Sequence, residues 1–368
     1  MTRDLEQKVE KIKATGKEVY SFSRLECINN CLYEAYRTYI LNDRQNQIPN
    51  IYGILGGKIH DVLEGIMNNK NTTADLLPAM KQELNDMDML GIEFPKGRNN
   101  SDAIREGWIA DMTHFCNTYK PPKGNFETET FFLYKTPKGN YVQGYIDLTK
   151  IHKNNMLSIY DYKTSSMYKG EEIKKHGRQL VLYALGKEQE GHKIKEIAWI
   201  MLKYCEISYD GKKRSNSKEE TKITKIIERK NLIKELASVI EYKLEKYGVC
   251  EVDREIIIDE AYERNKIPEI LACEFSVKPY VMKYELTDEI RQECNQYIDD
   301  TIEMWEDLDH NNINLFTPLN FTEKNKKGED KLNLFYHTNL CGYAKNCPHL
   351  QKFIDTWQNS DLGDANLW

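Results

Sequence analysis

The feature that most constrains the fold of this chain is the run from Phe126 to Thr164, FETETFFLYKTPKGNYVQGYIDLTKIHKNNMLSIYDYKT. Its apolar residues alternate with polar ones or cluster over short stretches, as they do in strands that bury one face. Turn-forming residues separate these stretches at 137–140 and at 153–155. The run therefore predicts three antiparallel strands joined by tight turns.

Apolar residues at helical spacing occur on both sides of this run. Ser21 or Ser23 can cap a first predicted helix, and a second helix starts near Gly56 and Gly57. The other predicted elements are helices over 101–119, 179–185, 222–247 and 287–308, a strand over 197–209, and a strand or hairpin over 274–286. This order predicts an α/β fold, with a central mixed sheet of roughly residues 125–209 between N-terminal and C-terminal helices.

The 368 residues are expected to form one elaborated domain, because no repeat or proline-rich hinge divides them. We distinguish an N-terminal helical part (1–120), a sheet core (121–209) and a helical C-terminal part (210–368). The 52 Lys and Arg against 58 Asp and Glu give a net charge of −6, which excludes a generally basic coat for nucleic acid. The charged first twenty residues and the absence of a long apolar run predict a cytoplasmic protein without a membrane span.

Two acids and a lysine lie at the ends of two predicted strands. Asp147 ends YVQGYID, while Asp161 and Lys163 follow MLSIY two residues apart, so a strand points both side chains to one face. Two adjacent carboxylates repel each other, and a divalent cation removes that repulsion, while an ammonium group stabilises charge on a phosphate. The pattern predicts metal-assisted phosphodiester hydrolysis, although acids and lysines at strand ends are also common without a catalytic role.

Five segments together resemble a known family. They are SFSRLECINNC at 21–31, GGKIHDVLE at 56–64, GYID at 144–147, DYKTS at 161–165 and QLVLY at 179–183. In this order they resemble the PD-(D/E)XK nuclease superfamily, and within it the RecB-like branch that includes AddB nuclease domains and the CRISPR-associated adaptation nucleases. The resemblance implies a restriction-endonuclease-like fold and a Mg²⁺- or Mn²⁺-dependent nuclease that acts on DNA.

The resemblance assigns roles to four of the polar residues. His60, Asp147 and Asp161 match the metal ligands of the family, and Lys163 matches its catalytic lysine. Taken alone, a histidine on an amphipathic helix is more often an exposed or hydrogen-bonded residue than a ligand. The other motifs favour the ligand role for His60, and its nitrogen makes Mn²⁺ more favourable than an all-oxygen site would.

Three further residues are candidates near this site. Gln179 and Tyr183 match the Gln-x-x-x-Tyr motif of the family, and one helical turn brings their amide and phenol to the same place. A helix packed on the sheet would equally use Tyr183 as a core residue. Glu129 is an accessory candidate because it shares a strand face with Glu127, and an exposed strand face explains both equally well.

Basic residues in two segments suit contacts with a DNA backbone. The first segment follows the strand that carries Lys163. The second, from residue 210 to 230, holds eight Lys or Arg against four acids, a local charge of +4 that a solvated loop and helix face also explains. The candidates for DNA contact are Lys174, Lys175, Arg178, Lys212, Lys213 and Arg214.

The nine cysteines are more readily thiols or metal ligands than disulfides in a cytosolic chain. RecB-like nucleases with an iron–sulfur cluster combine one N-terminal cysteine with a C-terminal Cys-x-x-Cys-x-x-x-x-x-Cys. Cys31, Cys341 and Cys347 match three of these positions, and Thr338 occupies the fourth. Cys27, one helical turn from Cys31, is the candidate replacement in a 4Fe-4S site. A zinc site with a histidine ligand and buried thiols without a metal are the alternatives.

These observations predict a divalent-metal-dependent DNA nuclease, most readily an exonuclease of recombination, repair or phage DNA metabolism, as the resemblance implies. A structure-selective endonuclease and a non-catalytic module that binds DNA are the alternatives. The sequence contains no Gly-x-x-x-x-Gly-Lys-Ser/Thr phosphate loop, so a helicase or recombinase motor is expected only as a separate partner.

Overall fold

The computed structural model describes residues 2–211, 221–319, 321–324, 328 and 330–358. The α-helices are α1 (Thr2–Ala14), α2 (Phe22–Asn30), α3 (Leu32–Ala35), α4 (Ile51–Met67), α5 (Leu76–Leu90), α6 (Ala103–Thr118), α7 (Glu171–Gln189), α8 (Leu232–Lys246), α9 (Glu251–Arg264), α10 (Asp288–Glu306) and α11 (Pro348–Gln358). The strands are β1 (Val19–Ser21), β2 (Phe126–Lys135), β3 (Tyr141–Ile151), β4 (Met156–Lys163), β5 (Lys193–Asp210), β6 (Lys222–Glu228), β7 (Phe275–Tyr284), β8 (Thr322–Lys324) and β9 (Asp330–Leu332). Within the described residues no helix is long and apolar enough to cross a bilayer.

Strands β1 to β7 form one mixed sheet. β3 runs antiparallel to both β2 and β4, which confirms the three predicted antiparallel strands. β4 and β5 are parallel, and α7 lies between them in the chain, as a parallel pair requires. The predicted α/β fold with a central mixed sheet is confirmed. The sheet is larger than the predicted 125–209, because β1, β6 and β7 join it from outside those limits.

Helices cover both faces of the sheet with separate apolar clusters. On one face Val142 and Ile159 pack with residues of α2, α7 and α10. On the other face Leu148 and Tyr162 pack with residues of α4, α5 and α6. Ile159 is fully buried, and a side chain of this kind contributes about 1.5–3 kcal/mol on leaving water. Helices α4 and α7 therefore approach the β3–β4 pair from opposite faces.

Helix α7 lies close against the sheet because it carries a glycine where β2 presents an aromatic ring. A Cβ atom at Gly186 would lie 2.5 Å from Cδ2 of Phe132, so a larger residue does not fit there. Leu180 and Ala184 on the same helix are fully buried. This close contact determines the distance between α7 and the sheet, and with it the position of the other α7 side chains relative to the strands.

The first predicted helix starts as expected, whereas the second does not. Ser21 caps α2 by accepting a hydrogen bond from the backbone N–H of Arg24. Helix α4 begins at Ile51 rather than near Gly56, because the side chain of Asn50 accepts a hydrogen bond from the backbone N–H of Gly53. An N-cap residue outside the apolar pattern thus adds more than one turn to the helix.

The predicted long helix over 222–247 is wrong in its first part. Residues Lys222–Glu228 form β6, which pairs with β5, and the helix α8 starts only at Leu232. Between them the buried Arg229 donates hydrogen bonds to the carbonyl of Leu202 and to the hydroxyl of Thr118. These tertiary contacts turn the chain between β6 and α8, and local apolar spacing does not reveal them.

Candidate active site

Three carboxylates line up across three neighbouring strands. The β2–β3 register places Glu129 opposite Asp147, and the β3–β4 register, continued by one residue, places Asp147 opposite Asp161. Backbone pairing is interrupted at these positions, and Asp147 Oδ2 instead accepts a 2.9 Å hydrogen bond from the backbone N–H of Tyr162. A side chain thus replaces a backbone carbonyl, and this holds Asp147 at the seam between β3 and β4.

Glu129 adopts a backbone conformation that is rare for a non-glycine residue in a strand. Its φ angle is 46°, and a left-handed residue of this kind costs of order 1–3 kcal/mol. Burial and the charges of Asp147 and Glu64 raise the pKa of Glu129 to about 7. Burial and the charge of Asp161 likewise raise the pKa of Asp147 to about 6. The acids therefore repel each other strongly when no other cation lies among them.

His60 reaches these carboxylates from α4, as the sequence predicts. Its Nδ1 lies 3.3 Å from Asp147 Oδ2, and its ring packs edge-on against Tyr162 with the centroids 5.9 Å apart. A nitrogen and carboxylate oxygens in one place suit Mn²⁺, and carboxylate oxygens suit Mg²⁺. The residues predicted as metal ligands, His60, Asp147 and Asp161, thus lie next to one another.

Lys163 is held between an acid and an amide. Its Nζ lies 2.7 Å from Asp161 Oδ2 and donates a 3.0 Å hydrogen bond to Gln179 Oε1. The amide nitrogen of Gln179 in turn donates a 2.8 Å hydrogen bond to the phenol oxygen of Tyr183. Burial disfavours the ammonium, but Asp161 outweighs it and raises the pKa of Lys163, so this lysine is charged. The side chains predicted from the Gln-x-x-x-Tyr motif therefore orient the lysine.

Asp161 is a buried carboxylate whose charge is balanced by Lys163. The residue is 1% exposed, and its Oδ2 lies against the Lys163 ammonium group. A divalent cation is the other kind of group that balances the charge of a buried carboxylate. No group of three or more His, Cys, Asp or Glu among the described residues is already spaced as a metal cage. The carboxylates instead contact Lys163 and His60, so a cation would have to displace these contacts.

The charge of Lys163 also acts on two residues that the sequence pattern did not single out. His176 stacks on Tyr168 with the ring centroids 4.1 Å apart, and burial and the charge of Lys163 lower its pKa to about 4. Burial raises the pKa of Glu26 on α2, while the charges of Lys175 and Lys163 act in the opposite direction. His176 lies three residues before Gln179, so the helical spacing of α7 was a signal that could have identified it.

The basic residues predicted to contact DNA make contacts within the protein. Lys174 and Arg178 both pair with Glu293 of α10, at 3.3 Å and 2.6 Å. Lys175 donates a 2.8 Å hydrogen bond to Asn30 of α2. Their contact with DNA stays a prediction. The other predicted residues, Lys212, Lys213 and Arg214, lie outside the described residues.

The four candidate cluster cysteines come together from the two ends of the chain. Cys31 and Cys347 belong to one small apolar cluster. A hydrogen bond with Cys31, together with burial, raises the pKa of the Cys341 thiol, and burial and nearby charges including Cys341 raise that of Cys27. Thr338, where the pattern requires a cysteine, donates its hydroxyl hydrogen to a backbone carbonyl. The thiols are neighbours, but within the described part of the chain they are not spaced as a metal cage.

A model of the PD-(D/E)XK nuclease superfamily matches residues 19–305. The match begins at β1, ends within α10, and includes every strand of the large sheet together with α4 and α7. No curated protein matches the chain.

Proposed function

This chain belongs to the PD-(D/E)XK nuclease superfamily, and from that membership we propose that it is a divalent-metal-dependent deoxyribonuclease that degrades DNA from its ends. The observation that carries the proposal is the position of Lys163 beside the aligned acids Asp147 and Asp161. The five sequence segments support the RecB-like branch and, with it, a role in recombination, repair or phage DNA metabolism.

The residues present fit a divalent cation. His60, Asp147 and Asp161 would hold it, and Glu129 would take part from the neighbouring strand. A cation bound there supplies positive charge that offsets the charge of a phosphodiester during hydrolysis. Mg²⁺ and Mn²⁺ are the candidates, since the donor set combines carboxylate oxygens with one imidazole nitrogen.

Lys163 supplies the second positive charge of the site. The hydrogen bond from its Nζ to Gln179 fixes the ammonium group, and Tyr183 fixes the amide of Gln179. A preorganised ammonium of this kind stabilises the negative charge that develops on the phosphate oxygens and orients the attacking water. The lysine therefore acts on the reacting phosphate and does not bind the metal.

A non-catalytic DNA-binding module is the less favoured function. A scaffold has no need for acids that repel each other, nor for the left-handed backbone of Glu129 beside them. We also propose a cytoplasmic location and cooperation with a separate helicase or recombinase, which the family resemblance supports. The 4Fe-4S cluster on Cys27, Cys31, Cys341 and Cys347 is a further proposal, supported by the thiol character of the donors.

The experiment that tests the function is digestion of end-labelled linear DNA and of circular DNA, each single- and double-stranded. Reactions contain Mg²⁺, Mn²⁺ or a chelator, and Asp161→Asn is compared with the surface substitution Asp259→Asn. Loss of linear DNA with survival of circles, only with metal and not with Asp161→Asn, is the expected result. Cleavage of circles would replace the exonuclease by the endonuclease alternative, and no cleavage of any DNA would contradict the function.

A further inference from the structure

Six lysines lie together where four neighbouring strands of the sheet begin or end. We call them the lysine patch: Lys120, Lys123, Lys150, Lys153, Lys193 and Lys195. They belong to the segment before β2, to the end of β3 with the β3–β4 turn, and to the start of β5. These segments, 119–127, 150–156 and 191–196, contain six lysines and two acids, a net charge of +4 in a chain whose net charge is −6. The patch is therefore opposite in sign to the chain as a whole.

Hydrogen bonds hold the three segments side by side. The backbone N–H of Ile151 donates a 2.9 Å hydrogen bond to the carbonyl of Asn125. The backbone N–H of Lys193 donates a 3.0 Å hydrogen bond to the carbonyl of Asn155 in the β3–β4 turn. Strands β2 to β5 are neighbours in the sheet, and adjacent strands lie about 4.8 Å apart, so the patch is roughly 14 Å wide.

Two lysines of the patch lie on the sheet face from which α4 reaches the carboxylates. On β4, Met156 pairs with Lys193. Ser158, two residues later on the same strand, pairs with Lys150. Because residues two apart on a strand point to the same side, Lys150 and Lys193 share one face. Leu148, two residues before Lys150, packs on that face with residues of α4, α5 and α6.

The lysines of the patch are available to an anion outside the protein. Five of them are exposed, and Lys150 is half-buried. None of the six forms an ion pair with any described residue, and Glu196, one of the two acids, instead lies 2.7 Å from Nζ of Lys283. Glu196 also accepts a 2.5 Å hydrogen bond from the hydroxyl of Tyr160. The positive charge of the patch is thus not neutralised within the described part of the chain.

A regular polyanion fits this patch better than a protein partner does. The large apolar side chains that are exposed on the described surface all lie outside the three segments. Interfaces between proteins have an apolar core, which the patch therefore does not offer. Lysines bind the phosphates of DNA through charge, without a need for apolar surface. The phosphate backbone of DNA is accordingly the partner that the patch fits.

The distance from the carboxylates to the patch is one that a DNA strand covers in a few nucleotides. On β3, Lys150 follows Asp147 by three residues. On β4, Met156 precedes Asp161 by five residues, and it pairs with Lys193. At about 3.3 Å per residue these separations are roughly 10 and 17 Å. One strand of B-DNA advances about 3.4 Å per nucleotide, so the separations correspond to about three to five nucleotides.

We infer that the lysine patch binds the phosphate backbone of double-stranded DNA about three to five nucleotides from the bond that is hydrolysed. The inference rests on the proposed nuclease function and adds a second place at which the substrate is held. Phosphates are the same at every base pair, so the patch contributes affinity without selecting a base sequence.

One exposed lysine from each segment is replaced to test this inference. The patch variant carries Lys123→Gln, Lys153→Gln and Lys193→Gln. The control variant changes three lysines that are exposed on α5, α8 and β7, by Lys81→Gln, Lys234→Gln and Lys278→Gln. Both variants therefore lose the same charge. Binding of a labelled duplex to the full chain is measured by fluorescence anisotropy in a chelator, which prevents cleavage, at about 50 to 200 mM salt.

Each phosphate contact contributes about 0.9 to the slope of log K against the logarithm of the salt concentration. We expect the patch variant to lose about two to three from this slope, and the control variant to keep the slope of the wild type.

The position of the contacts is tested with duplexes that carry one uncharged methylphosphonate at each position in turn. In the wild type, kcat/KM for the first bond cleaved should fall by up to roughly fivefold when the methylphosphonate lies about three to five nucleotides from that bond, as for loss of an exposed ion pair. The patch variant should show no further fall at these positions, because the lysines that contact them are absent.

Three outcomes would overturn the inference while leaving the nuclease function intact. They are a patch variant with the salt slope of the wild type, a control variant that loses as much slope as the patch variant, and a methylphosphonate effect that persists undiminished in the patch variant. A wild type that binds duplex through the patch but cleaves no DNA would support the patch as a binding surface and contradict the nuclease function.

Discussion

Replacing Lys163 by methionine should separate its catalytic role from its role as counter-ion of Asp161. The substitution removes the ammonium that lies 2.7 Å from Asp161 Oδ2 and leaves a carboxylate that is 1% exposed without a charged partner. Breaking a buried ion pair costs about 3–5 kcal/mol. Because the Lys163 side chain is 23% exposed, we expect about 3 kcal/mol, the lower end of that range.

The same substitution should lower the cleavage rate about 100–1000-fold, since one preorganised charge contributes about 3–4 kcal/mol to the transition state. Binding of DNA and of the cation should be largely preserved. Stability is measured by urea denaturation in a chelator and again with Mn²⁺, and cleavage is measured on end-labelled DNA. Mn²⁺ should restore stability to Lys163→Met, because a cation at Asp161 takes over the charge of the lysine, but it should not restore cleavage.

The double variant Lys163→Met with Asp161→Asn serves as the control. It removes both charges, so no unpaired charge is buried, and it should be more stable than Lys163→Met in the chelator. Equal stability of the single and double variants would refute the ion-pair argument. Near-normal turnover by Lys163→Met would refute the catalytic role.

Glu129, Gly186 and Cys347 each offer a further test. The pKa of Glu129 is raised from the ordinary glutamate value of 4.5 to about 7, so the metal-free wild type should lose stability as the pH rises from 4.5 to about 7. Glu129→Gln removes this carboxyl and should be more stable than the wild type at about pH 8 in urea denaturation. The control variant Glu127→Gln should show no such gain. Gly186→Ala should destabilise the chain by about 1–3 kcal/mol through overpacking, whereas Gly57→Ala, with no atom within 4 Å, should not. Anaerobically purified protein should contain iron and sulfide and lose both in Cys347→Ser, and metal-free wild type would contradict the cluster.

Relations within one element could be predicted from the sequence. The two-residue spacing of Asp161 and Lys163 and the one-turn spacing of Gln179 and Tyr183 determine which side chains meet, and each pair lies close together in the structure. The turn between β3 and β4 brings Asp147 opposite Asp161, because an antiparallel register follows from the length of the connection. Strands β2 to β4 and the acids and lysine that they carry were predictable for the same physical reason: the spacing and turn lengths that position them act over short distances along the chain.

Features that depend on tertiary contacts could not be predicted in this way. The left-handed backbone of Glu129 has no marker in ETET, since no glycine or asparagine stands there. Strand β6 has an apolar spacing that also fits a helix, and only the free edge of β5 and the buried Arg229 select the strand.

The position of the cation tests the proposed metal site most directly. Crystals of Lys163→Met grown with Mn²⁺ and an uncleaved DNA strand would locate it by anomalous scattering at the manganese edge. We expect a manganese peak bonded to Asp147 and Asp161, with His60 as the nitrogen ligand. A peak away from these side chains, or no peak at saturating Mn²⁺ in a protein that needs the metal for cleavage, would contradict the proposed site.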